Sequence, residues 1–284
     1  MLQPALALFT VRDCVKENYM AALERVAEIG YKNIEYYATP LGEDGKPVAS
    51  PREIGDKVRE LGLNPVSAHV PFSSRPDLDR LMEEHLQMGT QTLVAPGLTM
   101  TTREEVLKEA DYCNQVGRKC KENGMFFCYH THYMEFAKVG EQTVLDLFLQ
   151  ETDPNLVGIE LDSYWAVRSG IDPVGLLDHL GARCTLLHQK DMHPDTRPLN
   201  LFDLYEGPFT REAQAALSTL KFIHPGNYAE IGTGTLDIQG ICRKANQLDI
   251  AKYIIVEQDG ITRMPIWESV ALSLQNLSQL VKSR

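Results

Sequence analysis

Carboxylates and imidazoles recur in this sequence directly behind short apolar runs. Glu35 follows KNI, His69 follows PVSA, His130 and His132 follow MFFCY, and Asp162 follows VGIEL. His188 comes after CTLL, with Lys190 and Asp191 just beyond it, and Glu257 comes after YIIV. A charged or hydrogen-bonding group next to a buried strand is costly unless it is paired. Around a divalent cation such groups compensate one another. Asp162, His188, Glu257 and one of the two strand-five histidines, His130 or His132, make a mixed nitrogen and oxygen set. That set suits Mn²⁺, Zn²⁺, Co²⁺ or Fe²⁺ better than Ca²⁺, and the absence of thiolates argues against a structural zinc. An octahedral ion with four protein ligands keeps two positions open for the adjacent oxygens of a hydroxy-ketone. Chelation there polarises the carbonyl and acidifies the neighbouring C–H, the hard step of sugar isomerisation, epimerisation and dehydration.

Blander readings apply to some of these groups. Taken alone, His69 reads as a satisfied structural histidine, and Glu35 reads equally well as the partner of Arg12 across a shared mouth. His85, His179, His193 and His224 fall on helices or in a large loop and read as non-ligands. Cys128, Met82 and Met88 read as core.

The elements that must position these residues are eight β-like runs: Ala5–Phe9, Asn33–Tyr37, Pro65–Val70, Gln91–Ala95, Met125–His130, Val157–Leu161, Cys184–His188 and Tyr253–Glu257. Several are apolar throughout, as LALF, TLVA and YIIV show, which parallel strands covered on both faces require. Helical stretches lie between them. Ser50-Pro51 and Asp172-Pro173 each place a capping side chain before a proline at the first helical position. Thr102 to Glu105 reads as a capping box opening a helix to about Asn123, which Gly124 stops. Eight βα units in a chain of this length predict a single-domain (β/α)8 TIM barrel, whose strand C-termini converge on one pocket. A doubly wound sheet would carry a glycine-rich loop after its first strand, where this chain has FTVRDCVKE. Residues Asp191 to Glu230 break the alternation. They read as an enlarged loop after strand seven, with a helical piece at about Thr210–Leu220, covering the barrel mouth. Residues Ile266 to Val281 read as a C-terminal helix, and these outer segments leave room for a homodimer.

The 284 residues are 43% hydrophobic, enough to bury a substantial core. A net charge of −11 repels phosphate backbones and anionic membranes, so nucleic acid is not the expected partner. The six cysteines form no CxxC pair and read as reduced, buried thiols of a cytoplasmic protein. The opening MLQPALALFTVRD is too short and too poor in basic residues for a signal peptide. No run approaches the roughly 18 apolar residues of a membrane span.

The motifs LFTVRD (Leu8–Asp13), EIGYKNIEYY (Glu28–Tyr37), SAHVPF (Ser67–Phe72), YHTHYMEF (Tyr129–Phe136), GIELDSYWAVRSGIDP (Gly158–Pro173), LLHQKDM (Leu186–Met192), EIGTGTLD (Glu230–Asp237) and YIIVEQD (Tyr253–Asp259), in this order, resemble the xylose isomerase-like barrel superfamily of sugar phosphate isomerases and epimerases. The resemblance covers essentially the whole chain. It implies a divalent metal held by residues of strands five to eight, of which Asp162, His188 and Glu257 carry over. The family's strand-five glutamate falls on His130 here, and Trp165 stands where many relatives have histidine. Relatives that epimerise use two metal-bound glutamates as opposed bases. Only Glu257 remains of that pair, and an imidazole bound to metal has no lone pair for base duty.

The expected function is therefore metal-dependent isomerisation or epimerisation of a keto-sugar, keto-polyol or sugar derivative, with Glu257 as base. Lys190 or His132 would steady the enediolate or return a proton. The alternative is a lyase or dehydratase, like inosose dehydratase or 3-keto-glycoside-cleaving relatives. Glu35, His69, Asp191, Glu135 and Arg12 are expected at the substrate, with Trp165 as an apolar wall. A multi-zinc endonuclease would need a basic groove, and a metal-free sugar-binding barrel would have no use for the three retained ligands.

Overall fold

A computed structural model describes residues 1–37, 47–197, 199–204, 207–219 and 224–282. Eight parallel strands close into a barrel: β1 (Gln3–Ala7), β2 (Asn33–Tyr36), β3 (Asn64–His69), β4 (Thr92–Ala95), β5 (Phe126–His130), β6 (Val157–Asp162), β7 (Cys184–Gln189) and β8 (Tyr253–Val256). Each pairs with its sequence neighbours, and β8 closes on β1. The closed sheet excludes the doubly wound alternative. The first strand lies two residues earlier than its apolar run suggests, because parallel pairing sets Gln3 against Tyr253 and Leu6 against Val256. Leu8–Val11 then turn as a 3-10 helix.

Helices cover the outside, and their ends follow local chemistry. Ser50 and Glu53 close a reciprocal capping box at α3 (Pro51–Glu60). Asp172 caps α8 (Pro173–Leu180) by accepting from the amides of Val174 and Gly175. At α5 (Arg103–Glu122) the Thr102 hydroxyl accepts from the Glu105 amide as expected. The Glu105 carboxylate, however, reaches one residue further back, to the Thr101 amide at 2.7 Å and hydroxyl at 2.8 Å. Gly124, with φ of 70°, supplies the left-handed turn between α5 and β5. A shorter helix, α9 (Arg211–Thr219), lies in the segment after β7, and the last helix is α11 (Ile266–Leu280). Leu220, expected to end α9, lies outside the described residues.

The barrel interior is a small apolar plug of Ala5, Ala7, Val66, Val94, Cys128, Leu186 and Ile255. The strand pleat then places His130 two residues after Cys128, His188 after Leu186 and Glu257 after Ile255, so one apolar layer is capped by one polar layer. Gly158 keeps the interior closed, since a Cβ there would come within 2.7 Å of Phe126 and Thr185 side-chain atoms. All six cysteines are free, and all but Cys14 are buried. No helix among the described residues is long and apolar enough to cross a membrane.

Beyond β7 the chain returns to itself. Asp191–Met192 pairs antiparallel with Tyr228–Ala229. A second apolar cluster, which includes Tyr133, Tyr164, Trp165, Met192, Phe209 and Tyr228, packs this segment on the barrel mouth.

Candidate metal centre and substrate cavity

The polar layer is dense. His188 stands at its centre, fully buried, with its two ring nitrogens facing different partners. Nδ1 lies 3.2 Å from Glu257, while Nε2 lies 2.7 Å from Glu35 and 3.5 Å from Glu160. Glu160 in turn sits 2.7 Å from His69 Nε2 and 2.8 Å from His130 Nδ1. The Ser67 hydroxyl donates to the other oxygen of Glu35 at 2.6 Å.

Above this, Asp162 divides its two oxygens. One caps the short helix α7 (Ser163–Val167) through the amides of Tyr164 and Trp165, and the other meets Lys190 Nζ at 2.5 Å. The same ammonium donates to Glu257. Ligand atoms of Asp162, His188 and Glu257 lie within 4.8 Å of one another, and so do those of His69, His130, Glu160 and His188.

Burial and charge set the protonation states. Burial works against the charge on Lys190, but Asp162, Asp259 and Glu257 hold its pKa well above the ordinary lysine value. Burial would also raise Glu257, yet Lys190 and His188 hold it well below the usual carboxylate range. Burial and the charge of Glu35 push Glu160 up to about 7. Burial, then Lys190, push His132 down to about 3, so its imidazole is neutral, with one N–H to donate as a hydrogen bond and no imidazolium proton. Burial likewise lifts Asp259 to about 6 against the pull of Lys190.

This donor set fits a divalent cation. Glu35, Glu160, Asp162 and Glu257 are all buried, and among the described residues Lys190 is the only lysine or arginine in direct contact with any of them. Two atoms of the layer, Glu160 Oε1 and His132 Nδ1, are buried without a hydrogen-bond partner. Carboxylate oxygens and imidazole nitrogens without thiolates suit the borderline and hard divalent ions.

A cavity of about 530 Å³ opens over the layer. His69, His130, His132, Lys190, Glu257 and Asp259 form its polar floor. Phe9, Tyr37, Pro71, Pro96 and Trp165 form its walls, with Arg12 beside Phe9. Trp165 lines the cavity.

Other expected residues are placed differently. Arg12 does not pair with Glu35. Its guanidinium lies over the Phe9 ring, 4.4 Å from the centroid, and donates to the Phe9 and Asp259 carbonyls at 2.9 and 2.7 Å. Histidines nearer Glu35 take that carboxylate instead. Asp191 is turned away from the cavity. Its carboxylate accepts from the amides of Met192, Gly232, Gly234 and Leu236, at 2.8 to 3.2 Å, and fastens the GTGTL turn. A carboxylate with four amide donors has no free lone pair to offer a sugar. Glu135 lies beneath the floor, held by the Tyr129 hydroxyl at 2.5 Å and the His132 amide at 2.7 Å. His130 sits with Glu160, His69 and His188 and is not grouped with Asp162 and Glu257. Away from the layer, His85 Nδ1 lies 2.8 Å from the Leu81 carbonyl and His179 Nε2 2.8 Å from Asp146.

Glu160 and Asp259 escaped the sequence reading. Both had a signal: each stands two residues from a recognised position, Asp162 or Glu257, on the same face of its strand or just beyond it.

The xylose isomerase-like TIM barrel family matches residues 23–277. An inosose dehydratase of Geobacillus kaustophilus (strain HTA426) is 30% identical over 149 residues, 52% of this chain and 44% of its own length. The chain spans about half the length of the curated relatives it matches. Among solved structures, a sugar phosphate isomerase/epimerase from Parabacteroides distasonis superposes with a TM-score of 0.75 at 21% identity, over 99% of this chain and 95% of that one. An IolI protein with a bound zinc atom superposes with a TM-score of 0.69 at 15% identity, over 99% and 98%.

Proposed function

The chain belongs to the xylose isomerase-like TIM barrel family, and from that premise we propose that it is a divalent-metal-dependent isomerase or epimerase that removes a proton alpha to the carbonyl of a keto-sugar or keto-polyol. The convergence of Asp162, His188 and Glu257 with Lys190 on the floor of one cavity carries this reading. Asp162, His188 and Glu257 would hold the ion. Mn²⁺, Zn²⁺, Co²⁺ and Fe²⁺ all suit these donors, and the zinc of the IolI structure supports Zn²⁺ among them. A bound divalent ion supplies Lewis acidity that polarises a carbonyl.

The chain's own groups do the rest. Glu257, ionised at neutral pH, accepts the proton from the carbon next to the carbonyl and returns it to the neighbouring carbon, while the hydroxyl proton passes between the two adjacent oxygens. Lys190 directs a fixed positive charge at the oxygen on which negative charge develops. His132 accepts or donates a hydrogen bond at a substrate hydroxyl without changing charge. Asp259 and His69 also face the cavity and offer hydroxyl partners.

Dehydration on the same scaffold is the second reading. It is favoured by the inosose dehydratase relatives and by there being a single carboxylate base in the set. Proton abstraction is common to both. The test is metal analysis of the purified protein, then deuterium incorporation from D₂O into keto-sugars and inososes. We expect deuterium alpha to the carbonyl, and its loss by at least about a hundredfold in Glu257→Gln. Exchange undiminished in that variant would remove Glu257 from the base role. A protein that takes up no divalent ion would be a sugar-binding barrel.

A further inference from the structure

Arg12 lines the cavity, yet proton abstraction at Glu257 makes no use of it. It follows the turn after β1, and its half-buried guanidinium straddles the seam where β8 closes on β1. Three contacts fix it there. Nη1 donates to the Phe9 carbonyl at 2.9 Å, Nη2 donates to the Asp259 carbonyl at 2.7 Å, and the Phe9 ring lies beneath at 4.4 Å. Tyr37 holds Phe9 edge to face, with centroids 5.8 Å apart, and its hydroxyl donates to the Arg12 carbonyl at 3.3 Å.

Carbonyls and a ring orient a guanidinium but leave its charge uncancelled. Among the described residues no carboxylate pairs with Arg12. A guanidinium carries five N–H groups and two are engaged here, which leaves three for a ligand. Lys190, the other lysine or arginine among the described residues of the lining, already spans Asp162 and Glu257. Two residues of extended chain reach at most about 7 Å, so Asp259, and with it Arg12, stands roughly a monosaccharide's length from the Glu257 backbone.

We propose that the substrate is a keto-sugar acid, with its carbonyl end at Glu257 and the carboxylate of its remote end on Arg12. This rests on the proton-abstraction reading and names the substrate class of the same site. A planar guanidinium pairs with a carboxylate through two parallel hydrogen bonds, and its single charge balances a monoanion. A phosphate monoester carries about −1.5 to −2 charges at neutral pH and would set the excess against Glu257 and Asp259, which line the same cavity. A neutral sugar would leave the guanidinium without a counter-charge.

The metal-loaded full chain is tested in D₂O with fructuronate, fructose and a fructose phosphate, which differ only at the terminal carbon remote from the ketone. The tagatose series repeats the comparison with one hydroxyl inverted. We expect deuterium exchange alpha to the carbonyl, with kcat/KM for the keto-hexuronate at least about tenfold above either partner, from the charged hydrogen bonds at its carboxylate. Arg12→Gln should bring acid and neutral sugar within about threefold of each other through a raised KM for the acid, and Arg12→Lys should keep part of the preference. A purely structural Arg12 would lower exchange into both sugars together and leave their ratio standing. Neutral sugar exchanging as well as the acid, or phosphate ester exchanging faster, would overturn the carboxylate site and leave proton abstraction intact. Exchange into none of the probes would overturn both. The wild-type comparison decides the matter even where neither variant folds.

Discussion

Glu35 and Asp191 are both buried carboxylates, put to different use. Glu35 holds His188 from the side opposite Glu257, the position from which a carboxylate orients a metal-binding imidazole. Glu35→Ala should therefore weaken zinc binding by about 10–100-fold, read by metal titration, while the barrel stays folded. Affinity unchanged within twofold would show that His188 needs no such partner. Asp191 instead satisfies four backbone amides. Asp191→Ala strands those donors and should cost about 3–5 kcal/mol in chemical denaturation, from about 1–3 kcal/mol per buried orphan partly relieved by water. A stable variant with a raised KM would restore Asp191 to the substrate. The sequence showed which residues stand at strand ends but not where each side chain turns. Asp191 opens a separate two-residue pair with Ala229, so the pleat of β7 no longer governs it. Glu160 was missed for the converse reason, lying one pleat below Asp162 inside an otherwise apolar strand.

At the scale of elements, α5 and α9 are joined by Glu105. Its carboxylate takes the Thr101 amide and hydroxyl from one side and Arg211 from the other. Burial would raise its pKa, but these donors outweigh it and the net shift is downward. A carboxyl with a lower pKa folded than unfolded binds fewer protons in the native state. Its contribution is thus complete above the unfolded value, about 4.3, and is lost as pH falls through the folded value. The stability difference between wild type and Glu105→Gln should be constant from pH 6 to 8 and shrink below about pH 4.3, in thermal unfolding followed across that range. A gap that widens on acidification would reverse the sign. The strands themselves were legible because parallel strands covered on both faces leave continuous apolar runs, and caps such as Ser50 and Asp172 mark helix starts in the chain. Less legible was the one-residue shift of the Glu105 box, since Thr101 and Thr102 offer equivalent hydroxyls and only the approach of Arg211 favours one arrangement.

For the whole molecule, the buried carboxylate layer opposes folding unless positive charge reaches it. Ion binding to the native state alone adds about 2.7 kcal/mol at a free concentration one hundred times Kd. In a barrel of this size that corresponds to a rise in Tm of about 5–10 °C. Thermal unfolding with and without Zn²⁺ or Mn²⁺, and after chelation, should show that interval. Coincident curves would argue that Lys190 and the histidines already balance the layer.

His188 turns one nitrogen to the upper ligands and the other to the deep carboxylates. Asparagine and glutamine carry one amide nitrogen, and no other side chain presents two nitrogens in different directions from one rigid ring. In a saturation library position 188 should accept no replacement at all, because any exchange uncouples both tiers in one stroke. Tolerance, more than charge or depth, would then mark the hinge pin of this barrel.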